Sequence, residues 1–210
     1  MNCASPSPKF YFALLNKTSL IGERYTQSVP PLIGTIYKGH QFFTAIMKIM
    51  VFTEGTITMH KNAVGHSHEK IVQQVKAKEP SVKEYTSYVP IGGAVKKLTS
   101  WKNQGAEILY LTSRRKSDEI EAVRAVLKQF NFPDGQLLFR LGDEEYKNVA
   151  ERVMPDVLIE DDCESIGGTE EMTITHVNPE TRAKIKSIPV KEFGGIDHLE
   201  NKISALLQTK

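Results

Sequence analysis

The sequence predicts an α/β fold, a parallel sheet with helices on both faces, and three observations predict it. Ile49-Met50-Val51-Phe52, Ile108-Leu109-Tyr110-Leu111 and Val157-Leu158-Ile159 are short, nearly unbroken apolar runs, the pattern of strands covered on both sides. Segments with apolar residues at helical spacing separate them, which implies parallel strands joined by right-handed crossovers. Each run also ends in chemistry: Glu54-Gly55-Thr56, Thr112-Ser113-Arg114-Arg115 and Glu160-Asp161-Asp162. Ligands of open α/β sheets bind at such carboxyl ends.

In chain order, residues 1–46 come first and differ from the rest. They hold Pro6, Pro8, Pro30 and Pro31 with no sustained period, so they are expected to be a poorly ordered or non-native extension; an arm that packs on the domain is the alternative. A domain of residues 47–210 follows. After the first strand, Ser67 caps a helix with Ile71, Val72 and Val75 on one face. Ala94, Val95, Leu98 and Trp101 mark a second helix, which ends near Gly105. Ser117 opens a third, with Ile120, Val123, Leu127 and Phe130 inward and acids in its first turn. Gln136 to Phe139 reads as a short strand, and Tyr146, Val149 and Val153 mark a helix carrying Lys147 that stops at Pro155. Met172 to Val177 alternates like a strand, Asn178-Pro179 starts a short helix, and Ile188-Pro189-Val190 suits a sheet edge. Ile196, Leu199, Ile203 and Leu206 form the stripe of a closing helix.

Composition narrows the function. Twenty-seven basic and 25 acidic side chains nearly balance, which leaves no specific signal for nucleic acid or an anionic membrane surface. No apolar stretch approaches the ~20 residues that span a bilayer. Two cysteines, Cys3 and Cys163, make no disulfide framework, so a cytoplasmic protein is expected. Cys163 reads as a packed thiol. His60, His66 and His68 suggest a transition-metal site, but no carboxylate or cysteine completes the spacing and exposure is the simpler reading. The Gly92-Gly93, Gly167-Gly168 and Gly194-Gly195 pairs could approach an anion, though none forms a dinucleotide fingerprint.

From Met47 to Leu207 the order of these strand ends resembles the haloacid dehalogenase-like hydrolase superfamily, phosphatases and phosphotransferases on a Rossmann-like sheet. There the first strand ends in Asp-x-Asp-x-Thr, the second in Thr or Ser, a Lys or Arg follows, and a later strand ends in an acidic pair. Aligned on Gly55-Thr56, this chain has Glu54 at the acid/base position and Phe52 at the nucleophile position. The nucleophilic Asp of that family attacks phosphorus and ligates Mg²⁺, and a phenyl ring can do neither. The resemblance implies a three-layer fold with a minimal cap inserted at about 57–90, open enough that another subunit could complete it. It implies catalytic roles for Glu54, Thr112 and Lys147, phosphate contacts at Gly55, Thr56, Ser113 and Arg114, and a weak Mg²⁺ site at Asp161 and Asp162.

Each residue also has a plainer use. Thr112 can cap a turn, Lys147 in Glu144-Glu145-Tyr146-Lys147 can form a surface ion pair at helical spacing, and the acidic pair can cap a helix or meet a base. Two functions fit: a weak or altered phosphohydrolase in which Glu54 positions water, or an inactive protein that binds a phosphorylated ligand or a protein partner. A receiver-like signalling domain would carry its acidic pair on the first strand, whereas here the pair comes last.

Overall fold

A computed structural model of the chain describes residues 46–208, together with two three-residue strands nearer the amino terminus. Two units divide the chain, residues 1–44 and 45–210. In the first, Thr35–Tyr37 pairs antiparallel with His40–Phe42. The expectations for residues 1–46 otherwise lie outside the described residues.

The second unit is built on five parallel strands: β1 (Lys48–Phe52), β2 (Glu107–Leu111), β3 (Gln136–Leu138), β4 (Val157–Asp161) and β5 (Lys186–Val190), in the order β3-β2-β1-β4-β5. The chain winds outward from β1 to β3, then returns to the other side of β1. That reversal opens a crevice at the carboxyl ends of β1 and β4. Ile49, Met50 and Val51 have no solvent access, which explains why β1 reads as an unbroken apolar run.

Strand alternation divides the core into two layers. On one face Ile49, Val51, Ile108 and Ile159 pack with α2 (Ala94–Asn103) through Ala94, Leu98 and Trp101 and with α3 (Ser117–Gln129) through Ile120, Val123 and Leu127. On the other, Met50, Leu109 and Leu158 meet Val149 and Ala150 of α4 (Tyr146–Val153). This is the expected α/β fold with helices on both faces.

The insertion between β1 and α2 is small. It holds α1 (His68–Lys76), three single 3₁₀ turns, and a ribbon pairing Thr58–Met59 with Val89–Pro90. Ser67 Oγ accepts the Lys70 N–H at 3.4 Å, as a helix cap should.

Two expectations fail. Met172 to Val177 is not a strand: Thr173–His176 is a helical turn, because the Glu160 carboxylate accepts the N–H groups of Thr173 and Ile174 at 2.7 and 3.0 Å. The β4 edge it would have joined is taken by β5. The closing helix is also shorter than its apolar stripe suggests, spanning Ile203–Leu206 only. Ile196 and Leu199 are buried from an irregular segment laced to α2 by polar contacts instead. There Trp101 Nε1 donates to the Glu200 carbonyl at 2.9 Å and Lys97 Nζ to the Leu199 carbonyl at 2.6 Å. No helix among the described residues is long and apolar enough to cross a membrane.

Candidate functional site

The site starts from the turn after β1. Thr53 N–H extends the ladder to the Leu111 carbonyl at 2.9 Å, and Gly55 then adopts φ +83°, a backbone state that a side chain resists. A Cβ at Gly55 would stand 2.8 Å from Asp161 Oδ2. The turn therefore needs glycine twice over, and it sends Glu54 towards the end of β2 and Thr56 towards the end of β4.

Glu54 meets a set of donors there. Its Oε1 accepts the Thr112 hydroxyl at 2.6 Å, and its Oε2 accepts the Ser113 N–H at 3.0 Å and the Ser113 hydroxyl at 3.2 Å. Arg114 Nε lies 3.9 Å from Oε1. Thr112 was expected in catalysis and Ser113 at a phosphate, and here both hold the chain's own carboxylate. Arg114 also donates to Ser113 Oγ and to the Tyr85 hydroxyl, with its guanidinium 4.5 Å above the Tyr85 ring. Burial opposes the charge on Arg114, but Glu54 and the neighbouring tyrosines lift its pKa above the ordinary arginine value.

At β4, Asp161 is 8% exposed and accepts the Thr56 hydroxyl on Oδ2 at 2.8 Å and the Cys163 N–H on Oδ1 at 3.1 Å. Burial pushes its carboxyl above the usual aspartate range, with those two donors acting against the shift. Glu160 and Glu192 are raised by burial as well. Glu192 accepts the N–H and hydroxyl of Ser165 at 2.7 and 2.6 Å. Burial and the surrounding acids also push the Cys163 thiol far up, so it is a poor thiolate.

These groups line a cavity of about 440 Å³. Phe52, Glu54, Ser113, Arg114 and Asp161 form its floor, and the insertion roofs it with His60, Val75, Val82, Tyr85 and Tyr88. The expected open face is thus partly covered. Phe52 lies edge-on to Tyr146, ring centroids 5.1 Å apart, and Arg140 stacks over the other ring at 3.9 Å from its centroid. A second hollow, along α2 at Lys96, Ser100 and Gln104, lies away from the strand ends.

Glu54, Gly55, Ser113, Arg114 and Asp161 are brought together at this cavity, with Thr112 and Thr56 behind them. Lys147 is not: its ammonium pairs with Glu145 at 2.7 Å on the helix surface, and the cavity's lining does not include it. Asp162 also faces elsewhere, its Oδ1 accepting the Glu192 N–H at 3.1 Å. Arg115 reaches the carbonyls of Gly142 and Glu144. His60 is spent on Gln74 Oε1 at 3.2 Å and His68 lies 3.6 Å from Glu164, so the histidines gather no metal site.

Magnesium finds no fitting cage. Both oxygens of Asp161 are engaged, Asp162 is turned to the backbone, and Phe52 offers no oxygen. Among the described residues no group of three or more His, Cys, Asp or Glu is placed to hold a metal ion. Sequence reasoning missed Tyr85, Tyr146, Glu192 and Arg140. Only Arg140 carried a signal, a cation just beyond a strand end.

No protein-family model matches the sequence, and no curated protein does. Solved structures similar to the chain include haloacid dehalogenase-family phosphatases. A class C acid phosphatase from Bacillus anthracis with tungstate bound is 15% identical, covers 72% of this chain and 70% of its own, and has a TM-score of 0.45. A D,D-heptose 1,7-bisphosphate phosphatase from B. bronchiseptica, complexed with magnesium and phosphate, is 9% identical over 71% of this chain and 94% of its own, at 0.39. A HAD hydrolase of family IA, variant 3, from Entamoeba histolytica is 11% identical over 79% and 90%, at 0.40.

Proposed function

We propose that the protein is a haloacid dehalogenase-like binding protein for a phosphorylated small molecule, and that it does not hydrolyse it. One observation carries this reading: Phe52 stands at the nucleophile position, while both oxygens of Glu54, the candidate acid/base, are hydrogen-bonded to Thr112 and Ser113. A carboxylate so engaged has little freedom to position water. The donors around it form a corner suited to an anion, with hydroxyls, a backbone N–H and a guanidinium converging. The aromatic and aliphatic roof supplies apolar surface for the organic part of the ligand. Binding is expected to be independent of magnesium, because the acidic residues fit no cage.

The test is hydrolysis of p-nitrophenyl phosphate at high enzyme concentration with saturating Mg²⁺. The expected rate is that of the buffer blank. Metal-dependent turnover that disappears in Glu54→Gln would establish the competing reading, a phosphohydrolase using Glu54 and water.

A further inference from the structure

We propose that Glu54 is a tethered competitor for the anion corner: a phosphoryl group binds by displacing its carboxylate from Thr112, Ser113 and Arg114, and Arg114 passes that exchange to the insertion. The inference rests on the cavity's being a site for a phosphorylated ligand, and names how that site is regulated.

The geometry carries the competition. Three hydrogen bonds and one ion contact converge on the Glu54 carboxylate, all from donors that a phosphate oxygen would use. Both anions cannot hold them together. A phosphomonoester brings a charge of about −1.5 to −2 and three oxygens against the single charge and two oxygens of a carboxylate, so the exchange has a driving force. It needs only a side-chain rotation, because the backbone beneath is fixed. Gly55 N–H donates to the Thr58 carbonyl at 2.9 Å, and the Gly55 carbonyl accepts the Phe193 N–H at 2.6 Å. Resistance comes from the cavity into which Glu54 must swing. Its lining includes Glu160, Asp161 and Glu192, and none of the ion pairs among the described residues gives these three a cation. A carboxylate displaced towards these three meets like charge, which favours the latched state, while Lys78 and Lys83 of the same lining are the cations that can receive it once a ligand arrives.

Arg114 makes the exchange visible at a distance. One guanidinium touches Glu54 and Ser113 on the sheet side and both the ring and the hydroxyl of Tyr85 in the insertion. Tyr85 stacks near Tyr88 at 5.7 Å, and the Tyr88 hydroxyl donates to the Val82 carbonyl at 2.8 Å. Residues 82–88 therefore hang as a group on the cation that an incoming phosphoryl group would claim.

The experiment is calorimetric titration of the full chain, Glu54→Ala and Glu54→Gln with inorganic phosphate, alongside hydrogen exchange of residues 82–88 with and without phosphate. Glu54→Ala is expected to bind phosphate at least about tenfold more tightly than wild type, with Glu54→Gln between them because it keeps the shape and loses the charge. Phosphate should alter exchange at 82–88 in the wild type. Equal affinities in wild type and both variants, each shown folded by circular dichroism, would overturn the competition and leave the binding reading standing. If Glu54→Ala does not fold, Glu54→Gln carries the comparison alone. No phosphate binding in any protein would sink the anion corner itself, and turnover by the wild type would sink the non-hydrolytic reading while leaving the affinity ratio decisive for the latch.

Discussion

Thr56→Val isolates one hydroxyl at a place where water cannot substitute for it. Thr56 has no solvent access, and valine nearly matches its volume while removing the donor to Asp161 Oδ2 at 2.8 Å. Asp161 keeps the Cys163 N–H on its other oxygen. A hydrogen bond to a charged group is worth about 1.5–3 kcal/mol, so the substitution should cost roughly 2 kcal/mol with Asp161 ionised. In a domain of this size that corresponds to a fall in Tm of about 4–8 °C. The pH dependence gives the reasoning its sharper test. Burial already holds the folded pKa of Asp161 above its unfolded value, and the Thr56 hydroxyl works against that shift. An acid raised in this way takes up a proton on folding, so its contribution to stability falls as pH rises through the folded pKa. Without the hydroxyl that pKa rises further and the fall is larger. The gap between variant and wild type should be widest on the alkaline side and narrow as pH drops towards the unfolded value of about 3.9. Urea unfolding of both proteins near pH 4 and near pH 8 measures it. A gap that is the same at both pH values, or below about 0.5 kcal/mol at both, would refute the argument.

Three other outcomes are expected. Gly55→Ala should cost about 1–3 kcal/mol in chemical denaturation, since it forces a side chain into φ +83° and towards Asp161 Oδ2; an unchanged midpoint would show that the turn relaxes freely. Lys147→Ala should leave both the melting temperature and phosphate affinity at wild-type values, and a tenfold loss of affinity would return that lysine to the site. In a Cys3→Ser background, Cys163 should react with a thiol reagent far more slowly in the folded protein than in urea near pH 8, because burial and its acidic neighbours suppress the thiolate. Equal rates would contradict that environment.

The architecture was readable because its signals are local. Unbroken apolar runs at β1, β2 and β4 required cover on both faces, and the helix stripes between them supplied it. Where the reading failed, a distant group had overridden a local pattern. Met172 to Val177 alternates, yet Glu160 captures two of its amides and coils it. Ile196 and Leu199 keep helical spacing with Ile203, yet bonds to Lys97, Trp101 and Gln104 satisfy that segment's backbone instead. The site divides in the same way. Which residues stand at strand ends follows from the sequence, and Glu54, Ser113, Arg114 and Asp161, named on that ground, line the cavity. Which way each side chain turns depends on partners far along the chain. Lys147 took the nearest acid, while Tyr85 reached Arg114 from an insertion whose sequence shows no chemical motif. That the chain's own carboxylates accept these donors could not be foreseen either, and Glu54 is not alone: Asp197 accepts the Gly93 N–H with both oxygens at 2.9 Å beside the start of α2.

Trp101 is the chain's sole tryptophan, sealed from solvent, with its indole N–H satisfied by the Glu200 carbonyl. Peeling the carboxyl-terminal tail away would wet that ring and orphan its proton in one movement. Fluorescence should therefore redden as the tail detaches, even while the sheet persists, giving the molecule an intrinsic gauge of how firmly its end is stowed.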